Sequence, residues 1–353
     1  MSKFNDAVVT AVQQDTPNAK VITIDCPDIQ GAEFKPGQYI TVRFKFNGQD
    51  FRRSYSVCNL PENGQYKIGV KRLPDGVVSG HMHDNLSPGN AMEIMAPEGN
   101  FVIRESENQA HHIFFAAGSG ITPVMSIIEH IVRNGKDKAT LFYGNRSASE
   151  TMFKSRLDEL NLEGKVDVVN ILSDGSGPSA IERGRIDFSK TLELLKAHAD
   201  GGLNKVYYMC GPGGMMSAVE NALTDSGVST SDIVKEHFVN PDQDLGEQHV
   251  PLEEPAGDFS GEAKVKVTLD GEEHEFPLST NGKVMLDAVL DAGLDAPFSC
   301  KGGVCTTCRA QVVSGRVNMD SNYALTEEEI EEGVILTCQS HPCTENVEIT
   351  YDI

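Results

Sequence analysis

Cys300-Lys301-Gly302-Gly303-Val304-Cys305-Thr306-Thr307-Cys308 sets three cysteines in one short run, and Cys338 follows further along the chain. The pattern C-x4-C-x2-C with a distant fourth cysteine is the spacing in which four soft, anionic thiolates hold two irons bridged by sulfides. Gly302 and Gly303 let the backbone wrap such a group and aim amide N–H groups at its sulfurs. Zinc is the competing reading, but zinc motifs usually pair two close C-x2-C knuckles, and here there is one. A [2Fe–2S] cluster on Cys300, Cys305, Cys308 and Cys338 is therefore expected. Cys343 lies outside the pattern and reads as a small buried hydrophobe. Cys26, Cys58 and Cys210 are scattered, so the eight cysteines point to metal or redox chemistry rather than a disulfide framework.

Working outward, residues 262–353 form one unit around this loop: an alternating run Ala263–Leu269, a turn at Asp270-Gly271 and a helix near 284–292. Before it, residues 240–261 hold no Lys or Arg and show almost no periodicity, which predicts an acidic, flexible linker. Residues 106–239 alternate strands with helices, the signature of βαβ units and a parallel sheet. The strands are expected at 113–117, 139–143, 166–172, 206–210 and 233–239, with helices at 123–132 and about 150–160. Residues 1–105 show short alternating strands (21–24, 39–42, 66–70) punctuated by Lys35-Pro36-Gly37 and Ser87-Pro88-Gly89, which predicts a small antiparallel barrel. At 353 residues the chain is long enough for two to three domains.

Two further motifs carry chemistry. Arg53-Ser54-Tyr55-Ser56 ends a barrel strand, and Gly76-Val77-Val78-Ser79 follows. A flavin needs a flat aromatic wall, a cation for its pyrophosphate and N–H donors at a helix start; Tyr55, Arg53 and the helix opening at Ser79 supply them in turn. A pyrophosphate partner means FAD rather than FMN. Gly118-Ser119-Gly120-Ile121-Thr122-Pro123 then follows an apolar strand. It is not G-x-G-x-x-G, since Pro123 stands at the third glycine, but the mechanics are similar: glycines admit a pyrophosphate to a helix N-terminus, and Pro suits the first turn. Cys210-Gly211-Pro212-Gly213-Gly214 repeats that arrangement after a later strand.

With these motifs in place, nearly the whole chain resembles the ferredoxin–NADP reductase superfamily, extended by a C-terminal plant-type ferredoxin domain. The resemblance implies an antiparallel β-barrel for FAD (1–105), an α/β parallel-sheet NAD(P)-binding domain (106–239) and an α+β, β-grasp [2Fe–2S] ferredoxin-like domain (262–353). It also implies flavin contacts from Arg53, Ser54, Tyr55 and Ser56, with Val70, Lys71, Gly76, Val78 and Ser79 along the ribityl and phosphate portion. Ser56 matches the hydroxyl near flavin N5. Gly118, Gly120, Pro123, Gly211 and Pro212 line the nicotinamide nucleotide, Cys210 lies beside the nicotinamide, and Thr122, Glu236 and Phe238 match positions bordering the flavin. The domain order is that of reductases of multicomponent oxygenases. Pro297-Phe298-Ser299-Cys300, Met319-Asp320-Ser321-Asn322-Tyr323 and Gly333-Val334-Ile335-Leu336-Thr337-Cys338 are similar to the reductase subunits of phenylacetyl-CoA epoxidase systems. Another oxygenase or hydroxylase, or a ferredoxin-type acceptor, is the alternative partner.

The resemblance implies that NAD(P)H gives hydride to the flavin, which releases electrons singly to the cluster, and the protein's task is to hold the groups in place. Between nucleotides, Arg146 would serve a 2′-phosphate, whereas Asp174 would repel it; the balance leans to NADH. A plain electron relay would leave the flavin and nicotinamide motifs without a use, and a nucleotide-binding iron–sulfur sensor is disfavoured by the lack of any basic DNA-binding element in the sequence.

Net charge is −22, and residues 238–353 hold 23 Asp and Glu against 6 Lys and Arg. Such an end disfavours nucleic acid and anionic membranes and suits a basic protein partner, or simply a solvated surface. No leader sequence or membrane span is read from the chain, so the cytoplasm is expected. His81 and His83 lack a third metal ligand and are expected near the phosphate side or the surface. His111-His112 are expected to be exposed, and Glu327–Glu332 to be the solvated face of a short helix.

Overall fold

The computed structural model describes residues 4–29, 34–46, 48–61, 64–199, 201–238 and 259–353. Of the expected linker 240–261, only 259–261 lie among the described residues.

Six strands and one helix make the first unit: β1 (Asn5–Thr16), β2 (Ala19–Asp25), β3 (Tyr39–Phe46), β4 (Gln49–Ser56), β5 (Gln65–Lys71), α1 (Val77–Asp84) and β6 (Ala91–Ile94). They pair antiparallel in the order β4-β3-β6-β1-β2-β5, and a bridge between Val57 and Ile68 joins the two ends into a barrel. The inward members of the alternating strands, Val9, Ile22, Ile24, Ile40, Val42, Ile68, Val70 and Ile94, fill its core. Val78 and Met82 plug α1 into that core, which fixes where the helix N-terminus at Gly76 points.

The second unit contains β7 (Ala110–Ala117), α2 (Ile121–Asn134), β8 (Lys138–Asn145), α3 (Lys154–Leu162), β9 (Asp167–Leu172), α4 (Phe188–His198), β10 (Asn204–Cys210), α5 (Gly213–Asp225) and β11 (Ile233–Glu236). Its sheet is wholly parallel, in the order β11-β10-β7-β8-β9. Successive residues of β7 feed opposite cores: Phe114 and Ala116 pack with α2 and α3, while Ile113 and Phe115 pack with α4 and α5. A strand covered on both faces explains the unbroken apolar run.

That central position of β7 corrects one expectation. His111 and His112 are buried, at 2% and 0% exposure, because β8 and β10 flank them in the sheet. His111 Nε2 meets Thr140 Oγ1 at 2.9 Å, and His112 lies between Tyr208 Oη (3.2 Å) and Asp137 (3.3 Å). Helix α4, absent from the sequence-based expectation, is capped by Asp187 accepting from the Lys190 amide. Helix α3 starts later than expected, at Lys154, after Phe153 takes φ +56°.

The third unit has β12 (Glu262–Leu269), β13 (Glu272–Ser279), α6 (Met285–Asp291), β14 (Arg309–Ser314), β15 (Val317–Met319), α7 (Glu327–Glu331), β16 (Val334–Leu336), β17 (Ser340–Pro342) and β18 (Asn346–Thr350). Its mixed sheet runs β13-β12-β18-β14-β16, with β12 and β18 parallel. Leu286 and Val289 of α6 pack on Val265, Val267, Leu336 and Ile349. The acidic run does form a short helix, started by a capping box between Thr326 and Glu329.

Candidate functional site

At the end of β4, side chains alternate between two surroundings. Tyr55 packs its ring partly against the barrel core, and Arg53 lies on the same side of the strand, its guanidinium donating to the Arg52 carbonyl at 2.8 Å. Ser56 points the other way, and its hydroxyl donates to Glu236 Oε2 at 3.1 Å, across the boundary to the second unit. Glu236 is 9% exposed; burial pushes its carboxyl up to about 8, with the Ser56 hydrogen bond opposing. The Cys210 thiol beside it is pushed up by burial and by the Glu236 charge. Ser56, Cys210 and Glu236, far apart in the chain, thus converge; Phe238, at 42% exposure, lies just beyond.

Beyond the end of β5, a cleft of about 400 Å³ opens over the N-terminus of α1, lined by Asn18, Arg72, Leu73, Asp75, Gly76 and Gly80. Ser79 Oγ accepts from the Leu73 amide at 3.2 Å, shaping the loop before the helix. Val70 and Val78 are spent in the core, so any contact they make to a bound group runs through the backbone. The Val70 carbonyl already takes a 3.0 Å hydrogen bond from His83, which is therefore buried rather than at the surface. His81 stacks on Phe46 at 5.0 Å.

The second unit offers its cleft where the strand order reverses, between β7 and β10, the crevice in which open α/β sheets bind ligands. Gly118, at φ +55°, turns the chain out of β7, and Lys71 of the barrel reaches toward it. Gly120 lies so close to the end of β10 that a Cβ there would fall on the Cys210 carbonyl oxygen. Gly211 and Pro212 continue from β10 into α5, so both glycine-bearing turns open helices at one edge. Thr122 is buried, donates to the Ser119 carbonyl at 3.0 Å and lies against Gly69 of the barrel; Pro123 sits in the first turn of α2. Arg146 and Asp174 follow β8 and β9, joined by the Asp174 amide donating to the Arg146 carbonyl at 2.9 Å. Both side chains are exposed. Hydrogen bonds from Ser176 hold the Asp174 carboxyl below its ordinary range.

The four motif cysteines meet pairwise. Cys305 and Cys300 sulfurs are 3.1 Å apart, and Cys338 interacts with both Cys300 and Cys308. The Gly302 amide donates to Cys300 at 3.3 Å, and Gln339 reaches Cys338 at 3.7 Å. Lys301 takes φ +53° and Gly303 φ +71°, the left-handed turns by which the loop wraps the sulfurs. Among the described residues no three His, Cys, Asp or Glu side chains are arranged for a single metal ion. The donor set, all thiol with amides aimed at sulfur, fits a polynuclear iron–sulfide group. Cys343 stands apart, its thiol facing the His341 carbonyl at 3.8 Å.

Three domain families match in the same order. An oxidoreductase FAD-binding domain matches residues 6–103, an oxidoreductase NAD-binding domain 114–221, and a 2Fe-2S iron-sulfur cluster binding domain 267–343. One component of the 1,2-phenylacetyl-CoA epoxidase from Escherichia coli is 33% identical, covering 100% of this chain and 99% of that protein. The chain belongs to the ferredoxin–NADP reductase superfamily, in its branch of iron–sulfur flavoprotein reductases. Another such reductase, the ferredoxin reductase component of 3-ketosteroid-9-alpha-monooxygenase from Mycolicibacterium smegmatis, is 34% identical over 98% of this chain and 96% of its own length. The fold is also that of phthalate dioxygenase reductase, with a TM-score of 0.59, 23% identity and 98% coverage of each chain. This reductase is accordingly an NAD(P)H-dependent oxidoreductase using FAD and a [2Fe–2S] cluster.

The sequence reading missed how the reductase brings its cluster loop to its flavin strands. Tyr39, Arg52 and Asp295 make that junction, and no local pattern marks them, because their partners lie more than 240 positions away.

Proposed function

We propose that this reductase supplies electrons from NADH to an oxygenase of the phenylacetyl-CoA epoxidase type. The observation that supports the acceptor class is the end-to-end similarity to the Escherichia coli epoxidase component, with nearly full coverage of both chains. A second reading, a steroid monooxygenase acceptor, is supported by the equally extensive similarity to the mycobacterial reductase component.

In this reading the N-terminus of α1 would hold the FAD pyrophosphate, and Tyr55, Ser56 and Glu236 would hold its ring. Arg53 and Lys71 would contribute polar contacts, Ser54 only through its backbone since its hydroxyl is bonded to Ser299, and Val70, Gly76, Val78 and Ser79 would shape the phosphate side. Gly118, Gly120, Thr122 and Pro123 would hold the nicotinamide nucleotide, with Cys210, Gly211, Pro212 and Phe238 contributing at the ring end. When bound, these cofactors supply two-electron hydride acceptance and one-electron release. The chain's own part is to stack the rings, keep water from the reacting face and hold a proton at Glu236, a carboxyl that is mostly neutral at neutral pH. Cys300, Cys305, Cys308 and Cys338 hold the cluster. Asp174 disfavours a 2′-phosphate, which supports NADH over NADPH, and Arg146 is the competing cation.

Among the described residues no helix is long and apolar enough to cross a membrane, and we assign the protein to the cytoplasm. The test is reconstitution. With a phenylacetyl-CoA-type oxygenase, NADH oxidation should rise on addition of the aromatic acyl-CoA; a rise only with a steroid oxygenase and its sterol supports the second reading. For nucleotide choice, Asp174→Arg should raise kcat/KM for NADPH relative to NADH. A protein preferring NADPH throughout, unchanged by that substitution, removes Asp174 from recognition.

A further inference from the structure

Strands β3 and β4 are a hairpin in unbroken antiparallel register, Tyr39 opposite Ser56, Thr41 opposite Ser54 and Arg43 opposite Arg52. Side chains on one face of this hairpin therefore come from alternate positions: Tyr39, Thr41, Arg43, Arg52, Ser54 and Ser56. Ser56 is taken by Glu236 and Arg43 by Asp50. Tyr39, Thr41, Arg52 and Ser54 meet the third unit. Tyr39 Oη accepts from the Thr306 amide at 3.0 Å and lies 3.1 and 3.2 Å from the hydroxyls of Thr306 and Thr307. Thr41 Oγ1 is 3.4 Å from Thr307 Oγ1, and Ser54 donates to Ser299 at 2.8 Å. Arg52, 2% exposed, pairs with Asp295, donates to the Ala296 carbonyl at 3.2 Å and stacks on Phe298 at 4.2 Å.

We infer that this hairpin face is a purpose-built seat for the cysteine loop, and that Tyr39 is the positioning residue that sets the loop against the flavin side of the barrel. The inference rests on the flavin and cluster assignments above. Thr306 directly follows Cys305, so the Tyr39 hydroxyl grips the backbone next to a cluster ligand. On the hairpin, the same tyrosine stands opposite Ser56, the hydroxyl at the hydride-accepting end. Its ring abuts Gly99, where a Cβ would come within 2.8 Å of the ring, and its backbone pairs with Glu98 through two 2.9 Å hydrogen bonds, so the tyrosine is fixed in the barrel independently of the third unit. A single residue of the barrel thereby spans the gap between the two redox sites. The step it governs moves one electron from flavin to cluster; the flavin is oxidised and the cluster reduced by one equivalent, and no heavy-atom bond changes.

Tyr39→Phe keeps the ring and removes only the hydroxyl. In the holoenzyme mixed anaerobically with NADH, flavin bleaching should keep the wild-type rate, while bleaching of the cluster slows about fivefold or more. Hydrogen exchange of the peptide containing the Thr306 amide should accelerate in the same variant, at unchanged iron and flavin content. Asp295→Ala, altered on the third unit and away from the barrel core, should slow the cluster phase in the same sense. Wild-type cluster kinetics in Tyr39→Phe, or unaltered exchange at Thr306, would overturn the positioning role. A wild-type protein without iron, or one whose flavin NADH does not reduce, would instead overturn the underlying cofactor reading.

Discussion

Replacing Cys305 with serine removes one of four thiolates from a site that has no spare sulfur within it, since Cys343 faces away toward the His341 carbonyl. Cys305→Ser should therefore lose iron and sulfide on purification yet still show flavin bleaching by NADH, whereas Cys343→Ser should keep its full iron content; both are read by metal analysis. Glu236 yields a pH prediction. Its folded carboxyl titrates near 8, above the ordinary value of 4.5, so the folded state holds a proton that the unfolded chain releases between those values. Its contribution is full below about 4.5 and is lost as pH rises toward 8, by up to about 1.4 kcal/mol per pH unit. Glu236→Gln has no proton to lose. Its melting temperature relative to wild type should rise between pH 6 and pH 8, and an unchanged difference would show the carboxyl to be solvated. At this scale the meeting of the four motif cysteines was legible, because their spacing implies one loop wrapped around a common point. The burial of His111 and His112 was not, because it depends on which strand ends up central in the sheet.

Between elements, the turn after β7 approaches the end of β10 closely. Both strand ends must come together to leave a crevice at the reversal of strand order, and Gly120 permits it. Gly120→Ala should cost roughly 1 to 3 kcal/mol in stability through overpacking and raise the KM for NADH at least several-fold. Gly164→Ala, a glycine at φ +68° with open space around it, should cost only about 1 kcal/mol of backbone strain and leave KM unchanged. Denaturant unfolding and steady-state kinetics separate the two. Strands and the helices after glycine turns were readable from periodicity and punctuation. Helix α4 was not, although Asp187 supplies a cap and Leu194 a buried contact, because only Thr191 and Leu194 of the helix are fully buried and its apolar face is narrow.

Across the whole molecule, the cysteine loop rests on the flavin barrel through Arg52, Ser54 and Tyr39, a junction of residues remote in sequence that composition and spacing do not encode. The expected linker lies mostly outside the described residues, so its freedom is a matter for experiment. The acidic bias of the C-terminal third argues for attraction to a basic partner, and exposed charges are screened over roughly 8 to 10 Å at ordinary ionic strength. Electron delivery to the native acceptor should slow as salt rises, while flavin reduction by NADH responds little; equal insensitivity of both steps would reduce the acidic surface to solvation. In the proposed function, hydride from the nicotinamide enters FAD and leaves this same chain as single electrons through its own cluster. Anaerobic rapid mixing of the holoenzyme with NADH, followed by visible absorbance and by freeze-quench paramagnetic resonance, tests it most directly. Flavin should bleach first, followed by the reduced-cluster signal within the same molecule at a rate independent of protein concentration. A flavin that becomes fully reduced while the cluster stays oxidised, or cluster reduction that scales with protein concentration, would contradict it.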